Sequence, residues 1–153
     1  MVDLYIPQCE DLWFRKMFMS DEATMMYNHA WGGTIDFPKC DWADWHDYWV
    51  KNPGGERFYR YLRDASNDFI GEIAYHYNGQ EYIANVIVYA KYRGMGYGKE
   101  GLRLLCEEAK ENGIEVLCDN IAIDNPAISM FLKMGFVEEY RTEEIIMLKK
   151  QLI

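Results

Sequence analysis

The sequence predicts an α+β protein with a mixed, mostly antiparallel central sheet flanked by helices, in one domain over residues 1–153. Three observations predict it. Two polar turns, Asp64-Ala65-Ser66-Asn67 and Asn78-Gly79, join three consecutive strand-like runs, which implies an antiparallel meander. After the meander, helices with apolar stripes alternate with further strands, so the faces of the sheet gain helical layers. No linker rich in Pro, Gly or Ser divides the 153 residues, a length that suits one core.

The elements follow in order. Val2 to Ile6 reads as a short opening strand. Asp11 to Met19 and Ser20 to His29 read as two helices, with Ser20 or Asp21 capping the second. Gly32-Gly33 breaks the pattern. Asp41 caps a further helix carrying Trp42, Trp45 and Trp49 at i, i+3 and i+7, and Asn52-Pro53-Gly54-Gly55 ends it. The meander strands are Arg57 to Arg63, Phe69 to Tyr77 and Glu81 to Tyr89. A glycine-rich turn, Arg93 to Gly98, leads into a helix reaching Asn112, with Leu102, Leu105, Cys106 and Ala109 as its buried stripe. Gly113 sits where a left-handed residue ends a helix. A strand follows from Ile114, alternating Ile114, Val116 and Cys118. Asp124 or Asn125 caps a short helix with Pro126 in its first turn. Ala127, Met130, Phe131 and Met134 form its apolar face. Phe136 to Arg141 and Glu143 to Leu148 close the chain as strands, and their exposed apolar residues would suit a homodimer.

Composition excludes several classes. No apolar run approaches the ~18 residues of a membrane span. The N-terminus, MVDLYIPQCEDLWF, is acidic and leads into no apolar h-region, so a cytoplasmic protein is expected. Cys9, Cys40, Cys106 and Cys118 have no C-x-x-C spacing and are expected to be reduced. His29, His46 and His76 form no ligand pattern, so no metal is expected. The net charge of −9 opposes nucleic-acid binding. It favours a cationic substrate such as an amine, or serves solubility alone.

The segment from Val86 to Gly98 carries the most chemistry. An apolar strand passes through a basic turn into a helix whose first residues are glycines. The first N–H groups of a helix lack internal partners, and its dipole adds positive charge there. Gly94, Gly96 and Gly98 remove side chains that would hold a ligand off. Such a turn suits phosphate or pyrophosphate, with Lys91, Arg93, Lys99 and Arg103 around it. Gly96-x-Gly98-x-x-Gly101 is a formal dinucleotide fingerprint, with Asp119 as its ribose-binding acid. Ala90 to Tyr92 nevertheless separate the glycines from the strand, and the preceding sheet is antiparallel, which disfavours a dinucleotide-binding oxidoreductase.

Arg93-x-x-Gly96-x-Gly98 on a strand–turn–helix resembles the CoA-binding signature of the GNAT superfamily of acyl-CoA-dependent N-acyltransferases. The segment from Asp124 to Phe136 resembles the family's Asn-capped helix ending in K-x-G-F. The resemblance covers residues 57–148, the CoA-binding core, and leaves 1–55 as acceptor-side helices. It implies a GNAT-like fold and an N-acetyltransferase with acetyl-CoA as co-substrate. The acetyl group would pass to a primary amine of a small molecule or peptide by direct attack in a ternary complex.

By resemblance, the pyrophosphate would sit on the N–H groups of Arg93, Gly94, Met95, Gly96, Tyr97, Gly98 and Lys99. The pantetheine arm would pair with Val86, Ile87 and Val88, with Asn125 touching the arm and Phe131 near the thioester. Phe131 is equally placed to be core. The Val88 N–H is the candidate oxyanion donor. Glu72 and Glu81 are the candidate bases, each also readable as a solvated strand glutamate. Phe131 occupies the position where many members carry a proton-donating tyrosine; Tyr89 and Tyr140 are substitutes. This gap also admits a catalytically inactive CoA-binding regulatory or interaction module. Tyr27, His29 and Trp31 are the candidate acceptor contacts, since aromatic faces attract ammonium groups. Trp42, Trp45 and Trp49 read as core.

Overall fold

A computed structural model describes residues 2–153. Seven strands form one sheet in the order β1-β2-β3-β4-β5-β7-β6. They are β1 (Asp3–Tyr5), β2 (Arg57–Arg63), β3 (Phe69–Tyr77), β4 (Tyr82–Val88), β5 (Val116–Ala122), β6 (Val137–Arg141) and β7 (Ile145–Gln151). All neighbours are antiparallel except β4 and β5. Among the described residues four α-helices complete the fold: α1 (Trp13–Met19), α2 (Trp42–His46), α3 (Tyr97–Glu111) and α4 (Ile128–Lys133). Among the described residues, no helix is long and apolar enough to cross a membrane. All four cysteines are free.

Each face of the sheet carries its own core. Leu62, Ile73, Ile121 and Leu148 pack against Leu102, Leu105 and Ala109 of α3 and Phe131 of α4. Tyr59, Tyr61 and Ala74 pack on the opposite face against Phe14 and Phe18 of α1 and Trp42 of α2. β5 departs from the expected alternation, because it is buried on both sides: Leu117, Cys118, Asp119, Ile121 and Ala122 are all inside.

The predicted helix Ser20 to His29 does not form. Asp21 accepts hydrogen bonds from the Thr24 N–H (3.1 Å) and hydroxyl (2.5 Å), and Thr24 Oγ1 accepts the Ala90 N–H at 2.9 Å. Asp21 thus caps a single turn, whose Met25 N–H reaches the Asp21 carbonyl at 3.0 Å, and Thr24 stitches that turn to the end of β4. A short 3₁₀ turn, His29–Trp31, follows. α1 starts later than expected, after a 3₁₀ turn at Cys9–Leu12. Asp41 makes no side-chain cap, since its own 3₁₀ turn runs directly into α2. Trp42 is buried, whereas Trp45 and Trp49 are half-buried.

The sheet opens at its parallel seam. β4 and β5 share two registered pairs, Tyr82–Leu117 and Ile83–Cys118, and then part. β3 stays paired with β4 as far as Gly71–Val88. Gly71 allows this: a Cβ there would collide with the Ile87 carbonyl oxygen and lie 3.0 Å from Val88 Cα.

Candidate active site

A cavity of about 400 Å³ fills the opening between Asn85–Val88 of β4 and Asp119–Ala122 of β5. The glycine turn closes one end. Gly94 and Gly96 hold φ of +81° and +84°, which glycine adopts without strain. The first helical bond of α3 runs from the Glu100 N–H to the Gly96 carbonyl. The N–H groups of Gly94 to Lys99 find no acceptor among the described residues. A 15-residue helix therefore points its positive end and a run of free donors at the cavity.

The arginine of the turn is used differently from its expected role as a loose positive charge. Arg93 donates to the carbonyl oxygens of Ala23 (2.7 Å) and Thr24 (2.6 Å), fastening the Asp21–Thr24 turn over the cavity. Val86, Ile87, Val88, Gly94, Gly96, Tyr97, Gly98, Lys99, Asn125 and Phe131 all line the space, as do Tyr27 and Trp31. Met95 is exposed and does not. The Tyr89 N–H is taken by Ile70 at 2.9 Å. Alternation along β4 therefore turns the Val88 N–H to the opposite edge, facing the seam.

A second cavity, about 300 Å³, lies on the α1–α2 face. It abuts the first at Asn28, Trp31, Asn85, Asp119 and Asn120, which line both. Glu72 stands in its wall, 2% exposed. Its carboxylate accepts from the Tyr59 hydroxyl at 2.9 Å and from Asn85 Nδ2 at 2.7 Å, with Arg15 Nε 3.7 Å away. Burial pushes the Glu72 carboxyl up, while Arg15, Tyr59 and Asn85 pull it partly back.

Four further expected residues stand apart. Glu81 precedes β4 beside Cys118 Sγ (3.5 Å) and lines neither cavity, because the open part of the seam begins two pairs further along β4. His29 turns outward to bond Asp124 Oδ1 at 2.9 Å. Among the substitute tyrosines, Tyr89 packs on Phe14 and Tyr140 is exposed on β6, so neither reaches the cavities.

The Acetyltransferase (GNAT) family profile matches residues 19–136. This chain belongs to that family. The GNAT fold is shared at low sequence identity with several solved structures. An N-acetyltransferase from Staphylococcus aureus aligns with TM-score 0.80 at 17% identity, over 100% of this chain and 99% of that one. A spermidine N-acetyltransferase from Vibrio cholerae, solved with CoA and spermine, gives 0.79 at 15% identity, over 99% and 95%. A Salmonella typhimurium protein solved with acetyl-CoA gives 0.78 at 14% identity, over 100% and 95%. The sequence matches no curated protein.

Several residues of this GNAT site escape sequence reading. Asp119 and Asn120 interrupt an otherwise apolar strand, and Asn85 does the same in β4; a polar residue inside a buried strand was the available signal. Burial pushes the Asp119 carboxyl well above the usual carboxylate range. Arg15 and Tyr59 carry no local mark. Phe131 both packs on Phe136, with ring centroids 5.1 Å apart, and lines the first cavity.

Proposed function

We propose that this GNAT protein transfers the acetyl group of acetyl-CoA to a primary amine by direct attack in a ternary complex. The observation that carries the reading is the adjacency of the two cavities across five shared lining residues. One begins at free helix-terminal donors, the other holds a buried carboxylate, and they meet at the parted strands.

Acetyl-CoA supplies an activated acyl group on a thiol leaving group. The N–H groups of Gly94 to Lys99, with the Lys99 ammonium, suit its pyrophosphate. The free edge of β4 at Val86 to Val88 suits the amide-bearing arm as a further strand would. The Val88 N–H, facing the seam, is the donor for the carbonyl oxygen as negative charge gathers there. Glu72 takes the proton of the incoming ammonium, directly or through water, and its raised pKa suits that task.

Phe131 has no proton to give. Asp119 takes that role here. Its pairing puts it on the same face of the sheet as Leu117 and Ile121, towards α3 and α4, while it lines the first cavity. Burial raises its pKa, which favours the protonated form that donates to the departing thiolate. A thiol pKa near ~8.5 makes the demand on this acid small.

Thermal unfolding with acetyl-CoA, NAD and NADP tests the reading. Ligand at ~100 times its dissociation constant adds about 2.7 kcal/mol, a midpoint rise of several degrees. A rise with acetyl-CoA alone supports it. A rise only with the dinucleotides, or none, refutes it. Binding without turnover on a broad amine panel would favour the inactive CoA-binding module that Phe131 suggests.

A further inference from the structure

The second cavity carries a guanidinium that the transfer step uses only as a charge beside Glu72. Arg15 reaches into it from α1 with its side chain 13% exposed. The guanidinium lies 4.5 Å from the Phe37 ring centroid and 4.4 Å from that of Trp45. These rings hold its plane and shield it from water. Yet it donates to no described residue. Nε is buried without a partner, and the nearest carboxylate oxygen, Glu72 Oε1, lies 3.7 Å away, beyond hydrogen-bond reach. Glu72 is instead satisfied by Tyr59 and Asn85.

The two Nη groups likewise have no acceptor among the described residues, and a guanidinium fork matches a carboxylate in two parallel bonds. We propose, on the reading of the site as an acetyltransferase, that the acceptor is an α-amino acid. Arg15 holds its carboxylate, and its amine faces Glu72. The two protein groups stand 3.7 Å apart, a spacing that suits an amine and a carboxylate attached to one carbon. Trp45 and Trp49, stacked with centroids 6.2 Å apart along the same cavity, suit an apolar or aromatic side chain. A polyamine fits poorly, because its second ammonium would lie against a shielded positive charge. The chain's net charge of −9 attracts cations from a distance, but the fixed cation in the wall decides which of them are held.

The test is an acetylation assay on free amino acids, each paired with its own carboxamide, with spermine alongside. Free acids should exceed their amides by about 100-fold in kcat/KM, the effect of losing a charge-assisted pair of bonds. Arg15→Gln should bring that ratio close to one, and Arg15→Lys should restore part of it, charge without the fork. An acetyl-CoA-induced rise in unfolding midpoint on each variant shows that it is folded and loaded. Amides or spermine used as well as the acids would overturn the proposal. So would a protein that binds acetyl-CoA and acetylates no acid, or an Arg15→Gln variant that keeps the acid preference. Failure to bind acetyl-CoA at all would instead bring down the acetyltransferase reading itself.

Discussion

Arg93 donates to the Thr24 carbonyl oxygen at 2.6 Å, while Thr24 Oγ1 accepts the N–H of Ala90, three residues before that arginine. The glycine turn and the Asp21–Thr24 turn therefore hold each other in place, one on each wall of the first cavity. Arg93→Ala should cost about 1–2 kcal/mol, since one of its two bonds is solvent-exposed. Acetyl-CoA should bind roughly tenfold more weakly, through loss of shape. Titrations at two salt concentrations separate this from a lost charge. Lys99→Ala should flatten the salt dependence of binding, whereas Arg93→Ala should leave its slope as in the wild type.

Gly71 makes a second test possible far from any ligand atom. Gly71→Ala would push the new Cβ into the Ile87 carbonyl and Val88 Cα. Neither is a flexible side-chain end, so β4 must shift. Expected costs are about 1–3 kcal/mol by chemical denaturation. Activity should fall further than that destabilisation explains, because the shift moves the Val88 N–H that faces the seam.

Glu72 sets the expected pH dependence. Its folded pKa lies above its unfolded value because burial outweighs Arg15, Tyr59 and Asn85. As a base it must be ionised, so kcat/KM should rise as pH rises through that folded value. Glu72→Gln should remove this limb and lower kcat by about 10²–10⁴. Tyr59→Phe removes a donor that favours the ionised form and should move the limb to higher pH. A pH–rate profile of the three proteins decides it; an unmoved limb in Tyr59→Phe would exclude Glu72 as its source.

Asp119 makes a prediction about stability. Its folded pKa is raised well above the unfolded one, by burial. The folded state then binds more protons than the unfolded, so this residue's contribution to stability falls as pH rises through the interval between the two values. Asp119→Asn, similar in shape and never charged, should be more stable than the wild type at pH 8 and close to it at pH 4. It should also lower kcat for acceptors with acetyl-CoA more than for an acyl donor whose leaving thiol is more acidic.

The meander was fully readable, because its signals are local. β2 and β3 run over the residues that composition and turns assign, Arg57–Arg63 and Phe69–Tyr77, with Gly79 at φ +100° between β3 and β4. The glycine turn was readable for the same reason. Ser20 to His29 yields only a short capped turn, and its Thr24 is tied to Ala90, 66 residues away, a contact that no local signal announces. The second cavity had the same obstacle in stronger form. Arg15, Tyr59 and Glu72 meet only when α1 is laid on the β2–β3 pair, and no spacing in the chain announces that meeting.

The two rungs between β4 and β5 have a mechanical consequence. Along this line the sheet is a zipper closed for two teeth, with the meander on one side and the β5–β7–β6 ribbon on the other. A molecule lying in the gap adds teeth to both sides at once. Loading then also splices the two half-sheets, and the empty protein should breathe along this seam before it yields anywhere else in the sheet. Amide exchange in Cys118 to Ala122 would record that breathing, and its slowing on loading would mark the splice.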